Sequence, residues 1–151
     1  CSLVGSEMCI RDRSYTDYEL RFEKDEAAEL CTAVPSTGLI DVDRRSKNPM
    51  VGKTLPLSHE LFDFAETIFD VLESRQVTLS KKGEDKGVRL SFEGFPYLIV
   101  WSKPEGDFVA VEPWGGLSTC SDEDDVLEHK RGCLIAKPKE TIVRSFTIEI
   151  L

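Results

Sequence analysis

The chain has 151 residues and a formal net charge of −9, from 28 acidic and 19 basic side chains. An acidic surface without a basic stripe argues against nucleic acids and anionic membranes as partners, because phosphates would not be neutralised, and it favours a neutral ligand. No apolar run approaches the ~18 residues of a membrane-spanning helix. The cysteines show no CxxC pair, so we expect free thiols in the cytoplasm and neither a disulfide framework nor a zinc site.

The first thirteen residues, CSLVGSEMCIRDR, differ from the rest of the chain. Their codons from Leu3 to Asp12 are similar to those of a transposon-derived sequencing-library adapter. A secretory signal is the alternative, but Glu7 and Arg11 interrupt its apolar run and no basic segment precedes it. We therefore expect residues 1–13 to be non-native, disordered and packed against nothing, and the native sequence to begin inside a gene.

From Ser14 onward the sequence predicts mostly β-strand, because apolar and polar residues alternate with the period of two that is typical of a half-buried strand. The alternating stretches are 18–23, 77–80, 88–93 and 146–150. Turn residues separate the strands at 82–87, 103–107 and 136–140. This spacing predicts the antiparallel hairpins of a β-sandwich.

Only one segment, Leu57 to Leu72, has a helical pattern, with Ser58 at the N-cap position. The apolar residues on its predicted face are Leu61, Phe62, Ala65 and Phe69. Residues 67–69 within it also fit a strand. The polar stretch 41–53 predicts a loop. The acidic run 121–125 predicts a solvated loop tip and not a calcium loop, which would need regular alternation and a central glycine.

Residues 108–116, FVAVEPWGG, are the strongest candidate for a functional site. Alternation places Glu112 on the same strand face as Phe108 and Ala110, with two valines on the other face. A carboxylate beside apolar neighbours is partly desolvated, which makes it a stronger base than a surface glutamate. The alternative is a strand-end glutamate that faces water.

The longer stretch 94–116, GFPYLIVWSKPEGDFVAVEPWGG, resembles the aldose 1-epimerase (galactose mutarotase-like) family, in particular its bacterial LacX-type branch. That branch carries a Gly-Phe-Pro-Tyr-Leu strand, then Trp-Ser/Thr-Lys-Pro, then Glu-Pro-Trp, in this order. The resemblance extends from about Ser14 to Leu151. It implies an all-β antiparallel sandwich of the galactose mutarotase-like supersandwich type, of which residues 14–151 would be the C-terminal half.

The resemblance implies an isomerase of carbohydrate metabolism that interconverts the α and β anomers of an aldohexose, without metal or organic cofactor. Glu112 takes the role of the general base by its position in the Glu-Pro-Trp motif. The family's acid, a histidine in a Gly-x-His-Pro segment, has no counterpart in this sequence. We therefore expect the chain to be inactive by itself. As substitutes for the acid, His59 is interpreted as a structural or surface residue and His129 as solvated.

Trp114 and Trp101 are candidates for stacking on a sugar, whose C–H groups pack on an aromatic plane. Lys103 is a candidate donor to sugar hydroxyls, and Glu66 is a weaker candidate. Core packing is the alternative for the tryptophans, and solvation for the lysine. The alternative function is a carbohydrate-binding β-sandwich without catalysis. Glycoside hydrolysis would need a second carboxylate about 5–10 Å from the first, and none is as well placed.

Overall fold

The computed structural model describes residues 7–8, 14–34, 36–63, 66–103 and 106–151, and it confirms an almost entirely β protein. The strands are β1 (Glu7–Met8), β2 (Tyr18–Phe22), β3 (Leu30–Ala33), β4 (Ile40–Ser46), β5 (Thr54–Pro56), β6 (Thr67–Phe69), β7 (Gln76–Lys81), β8 (Gly87–Ser91), β9 (Tyr97–Trp101), β10 (Val109–Trp114) and β11 (Thr147–Ile150). Single turns of 3-10 helix lie at Tyr15–Asp17, Glu60–Phe62 and Leu127–His129. Among the described residues, no helix has the length and apolar character needed to cross a membrane.

The strands form two antiparallel sheets. The six-stranded sheet A has the order β1-β10-β9-β6-β3-β4, and the five-stranded sheet B has the order β11-β8-β7-β2-β5. Apolar side chains of both sheets meet in the main core, among them Leu20, Phe22, Val77, Leu79, Leu90, Phe69, Leu98, Val100, Val109 and Val111. Two packed layers with interdigitated inner faces form the predicted antiparallel β-sandwich.

The face of sheet A that points away from the main core, hereafter the outer face, carries a second apolar cluster. Its buried members are Cys31, Ile40, Ile68, Ile99, Leu117 and Cys120. The chain after β10, residues 115–121 and hereafter the return segment, crosses this face and runs beside β4. There Ile40 N donates to Thr119 O at 2.9 Å, and Ser121 N donates to Ile40 O at 2.8 Å. The return segment therefore shields part of the outer face from water.

The described residues of the segment Leu57 to Leu72 do not form the predicted helix. Among them only Glu60–Phe62 makes a 3-10 turn, and its N-cap is His59, without a capping side-chain hydrogen bond, and not Ser58. Ala65, on the predicted face, lies outside the described residues. The following residues form β6, which is buried throughout and pairs with both β9 and β3. Its β-branched and aromatic side chains suit a central strand. Pairing on both edges therefore outweighs the local helical pattern.

The predicted loop over residues 41–53 is wrong in its first part, because residues 41–46 belong to β4. This strand lies at the edge of sheet A, where β3 is the one described strand that pairs with it. Its polar residues Asp43, Arg44 and Arg45 are exposed. Charged side chains are typical of edge strands, which they protect from pairing with other chains.

The start of the chain also differs from expectation. Met8 pairs with Val109, and Glu7 pairs with Ala110, so that β1 extends sheet A beyond β10. The prediction that residues 1–13 contact nothing is therefore wrong at these two backbone positions. The other positions of that segment lie outside the described residues, and its adapter origin stays a prediction.

The predicted final strand is confirmed as β11, which pairs with β8 at the edge of sheet B. Ile148 lies opposite Leu90, and Ile150 lies opposite Val88. Leu90 is buried, whereas Ile148 and Ile150 are 45% and 86% exposed. The inner side of β11 therefore carries apolar surface that the described part of sheet A does not cover.

We predict that this surface makes the chain self-associate, because an apolar edge strand readily pairs with another chain. In sedimentation velocity the average mass should rise with concentration. The double variant Ile148→Thr/Ile150→Thr, which keeps strand propensity, should remain smaller than the wild type at equal concentration. Val51→Thr, at an exposed site elsewhere, is the control. Equal association of the wild type and the double variant would contradict the prediction.

A second prediction concerns the main core. Leu98 in β9 is 0% exposed and Leu127 is 70% exposed. Leu98→Ala leaves a cavity and should lower the free energy of unfolding by about 2–5 kcal/mol. Leu127→Ala, the same change at the surface, should alter it by less than ~0.5 kcal/mol. Urea unfolding followed by circular dichroism measures both, and similar losses would show that the main core is misassigned.

Candidate functional site

The pairing of β9 with β10 determines which side chains share the outer face of sheet A. Glu112 lies opposite Ile99, and Trp114 lies opposite Tyr97. Residues directly opposite each other in an antiparallel pair project to the same side. Trp101 is two residues from Ile99 along β9 and shares that side. Three of the predicted site residues, Trp101, Glu112 and Trp114, therefore lie on one face.

The alternation predicted for β10 is confirmed. Val109 and Val111 are 0% and 2% exposed and belong to the main core. Glu112 projects to the other side and is half-buried. The carboxylate therefore lies on the outer face, and the two buried valines hold the same strand on the core side.

Trp114 is the hydrogen-bond partner of Glu112. Its indole Nε1 donates to Glu112 Oε2 at 2.9 Å. The hydrogen bonds of the described residues leave Oε1 without a protein partner. A hydrogen bond to an ionised carboxylate is stronger than one between neutral groups. One carboxylate oxygen is therefore held by the protein, and the other can accept a proton.

Two aromatic residues, Trp114 and Tyr97, share the outer face with this carboxylate. The rings of Trp114 and Tyr97 pack against the second apolar cluster. Burial raises the pKa of the Tyr97 phenol, an effect that the nearby Arg131 opposes. The phenol is therefore protonated near neutral pH and is a possible hydrogen-bond donor. Sequence analysis did not identify Tyr97, although its place opposite the tryptophan of the motif follows once the strand register is known.

The turn after Trp114 is closely packed. A Cβ at Gly115 would overlap Arg144 Nη1. The guanidinium of Arg144 lies 5.6 Å from the centroid of the Phe95 ring, within cation–π distance. Gly132 has a φ of +73°, and a Cβ there would overlap the carbonyl oxygen of Gly115. Glycine is therefore needed at Gly132, where the backbone of Gly115 leaves no room for a Cβ, whereas at Gly115 the Arg144 side chain would have to move.

The acidic run 121–125 is only partly the solvated tip that the sequence predicts. The side chain of Glu123 is 9% exposed and accepts from the backbone N–H groups of Cys120 and Arg131, each at 3.1 Å. Desolvation opposes ionisation of Glu123, but these hydrogen bonds and Lys130 outweigh it and lower its pKa. The residue ties the return segment to the chain that follows it.

Arg131 is a second residue that sequence analysis missed. Its guanidinium donates two hydrogen bonds of 2.7 Å to the carboxylate of Asp122. This side-chain hydrogen bonding holds the pKa of Asp122 below its usual value. The pair fixes a positive charge near Tyr97. The described residues contain no group of three or more His, Cys, Asp or Glu side chains that could hold a metal ion.

Trp101 and Lys103 lie farther along β9. Trp101 is 39% exposed, and its ring packs edge-to-face on Phe108 with centroids 5.6 Å apart. Lys103 is exposed beyond the end of the strand. The structure therefore leaves an aromatic ring accessible on the outer face, but it does not join Lys103 to Glu112.

Neither histidine is bonded to Glu112. His59 Nδ1 and Tyr15 Oη are hydrogen-bonded to each other at 2.9 Å. His129 is exposed and pairs with Asp124 at 2.7 Å. These contacts agree with the interpretation of His59 as structural and His129 as solvated.

The described cysteines are free thiols at Cys31, Cys120 and Cys133. Cys31 and Cys120 are each 2% exposed. Burial raises the pKa of Cys31 to about 12 and also raises that of Cys120. Only a thiolate reacts rapidly with electrophiles, so both buried thiols are inert near neutral pH.

We predict that N-ethylmaleimide at pH 8 modifies Cys133, which is partly exposed, much faster than Cys31 and Cys120. Peptide mass spectrometry over time measures each rate. In urea the three rates should converge, because unfolding removes the burial. Rapid modification of Cys31 in the folded chain would contradict its position beneath the return segment.

The comparisons with known proteins agree with this architecture. No family model matches the sequence. The plasmid and chromosomal LacX proteins of Lactococcus lactis subsp. lactis are each 38% identical to it over 152 residues, which cover 100% of this chain and 49% of LacX. The chain thus spans about half the length of these curated relatives.

Two solved structures have a similar fold. A galactose mutarotase related enzyme from Lactobacillus acidophilus has a TM-score of 0.76 and 23% identity, over 94% of this chain and 47% of that one. A galactose mutarotase-like protein from Lactobacillus casei ATCC 334 has a TM-score of 0.65 and 26% identity, over 88% of this chain and 44% of that one.

Proposed function

We propose that Glu112 is the general base of an aldose 1-epimerase. The chain belongs to an aldose 1-epimerase-like family, as its identity to the LacX proteins and its galactose mutarotase-like fold support. One observation carries the proposal. Glu112 stands half-buried on the outer face of sheet A, with one oxygen held by Trp114 and the other without a hydrogen-bond partner among the described residues.

The chemistry needs a base and an acid with complementary protonation states. Glu112 Oε1 removes the proton of the sugar's C1 hydroxyl, and the electron pair of that O–H bond forms the C1 carbonyl. The bond from C1 to the ring oxygen breaks, and the acid protonates the ring oxygen. After rotation about the C1–C2 bond, the ring oxygen attacks the other face of the C1 carbonyl. The ring oxygen returns its proton to the acid, and Glu112 returns its proton to the C1 oxygen.

The sugar would lie on the aromatic surface of the outer face. Trp101 offers an exposed ring, on which the C–H groups of an aldohexose can pack. Tyr97 and the ring of Trp114 extend this surface beside Glu112. Lys103, exposed beyond β9, is proposed as a donor to hydroxyls at the far side of the sugar.

We propose that the acid is supplied by the part of the family's domain that this chain does not span. The two histidines of the chain are engaged with Tyr15 and Asp124. The relatives are about twice as long as the region that matches. The chain by itself would accordingly bind sugar without interconverting anomers.

A carbohydrate-binding domain without catalysis is the second candidate function. The observation that favours it is that neither histidine is hydrogen-bonded to Glu112. The two functions differ in one result. A catalytic half-site gains anomerisation when the rest of the domain is supplied, whereas a binding domain does not.

The test is a chimera in which residues 14–151 replace the matching half of Lactococcus lactis LacX. Polarimetry on freshly dissolved α-glucose and α-galactose should show accelerated mutarotation. Glu112→Gln removes the base and should lower the rate by ~10²–10⁴-fold. Sugar affinity should change much less, because the amide still forms hydrogen bonds. Glu149→Gln, in sheet B beside Arg89, is the matched control and should retain the rate.

Two outcomes would count against the proposal. An unchanged rate in the Glu112→Gln chimera would remove Glu112 from the mechanism. A folded chimera that binds aldoses but accelerates the mutarotation of none would favour the binding domain.

A further inference from the structure

We propose that Trp114 is a positioning residue for Glu112. The indole N–H of Trp114 holds Glu112 Oε2, so that Glu112 Oε1 is the basic atom. The inference rests on the proposed role of Glu112. It gives Trp114 a task different from the sugar stacking that its position in the sequence suggests.

The geometry is local and specific. Trp114 follows Glu112 by two residues on β10, so both side chains project from the outer face. Nε1 and Oε2 are 2.9 Å apart, an ordinary distance for a hydrogen bond to a carboxylate. The indole has a donor and no acceptor. It can therefore hold an ionised carboxylate but cannot take up the proton that the carboxylate receives.

The indole is itself held in place. Its ring packs on the buried cluster that includes Ile99 and Leu117. The turn that follows is fixed by the contact of Gly115 with Arg144 and with the backbone at Gly132. A long glutamate side chain loses rotamer freedom when it is ordered, and this loss costs free energy. A rigid donor ensures that the ordering occurs before the sugar binds.

The hydrogen bond also divides the roles of the two tryptophans. The N–H of Trp114 is engaged with Glu112 and is not available to a sugar hydroxyl. Trp101 has the more accessible ring. Loss of the Trp114 donor should therefore affect the rate constant, whereas loss of the Trp101 ring should affect sugar binding.

The hydrogen bond can be tested in the chain as it is, without any activity. The chain contains two tryptophans, so ¹⁵N-tryptophan labelling gives two indole signals, which Trp101→Phe assigns. The Trp114 proton should exchange with deuterium more slowly than that of Trp101. Glu112→Gln should shift the Trp114 signal upfield and leave that of Trp101 in place, and Glu149→Gln should shift neither.

The exchange comparison is made in the wild type and needs only the assignment from Trp101→Phe, so it stands even if Glu112→Gln fails to fold. Equal or faster exchange at Trp114, or a Trp114 signal that does not respond to Glu112→Gln in a folded chain, would overturn the proposal.

The role in catalysis is tested in the LacX chimera with 3-benzothienylalanine at position 114, in which sulfur replaces the N–H and the ring shape is kept. We expect kcat to fall by about tenfold or more, while KM changes by less than about twofold. A purely stacking role predicts unchanged kcat and KM, and that result would refute positioning. If the chimera is inactive although the indole signals behave as expected, the proposed function fails and the hydrogen bond stands.

Discussion

The antiparallel pairing of β9 with β10 is the interaction on which the candidate site depends. A slip of one residue along this pair would turn Glu112 into the main core and Val111 outward, because successive side chains alternate between faces. Burial of Val109 and Val111 between the sheets prevents that slip. The position of the carboxylate is therefore specified by apolar packing on the opposite side of its own strand.

The candidate site also depends on the return segment, which covers part of the outer face. The return segment after Trp114 is held along β4 by backbone hydrogen bonds at Ile40, and Glu123 ties it to the chain at Arg131. Paired charges thus hold a segment that shields the apolar cluster. Glu112 is half-buried on this partly covered face.

Sequence reasoning succeeded where the determining interactions are local. The alternation in residues 108–116 placed Glu112 correctly, because two buried valines mark the inner face. At Thr67–Phe69 it left helix and strand open, and pairing with two distant strands decides for the strand. It failed at residues 41–46, where an edge strand has the composition of a loop. Arg144 contacts Phe95 and Gly115, which are distant in sequence, and Arg131 pairs with Asp122 across an irregular segment. No periodicity reports such pairs.

We propose that the outer face around Glu112 is a sugar site. A titration of the ¹⁵N-labelled chain with galactose can detect sugar binding at this face residue by residue. Saturable shifts of the Trp101 indole and of the backbone amides of Tyr97, Glu112 and Trp114 are expected. Residues of sheet B, such as Thr78, should not respond. Shifts confined to sheet B, or no saturable change on the outer face at any sugar concentration reached, would contradict the account.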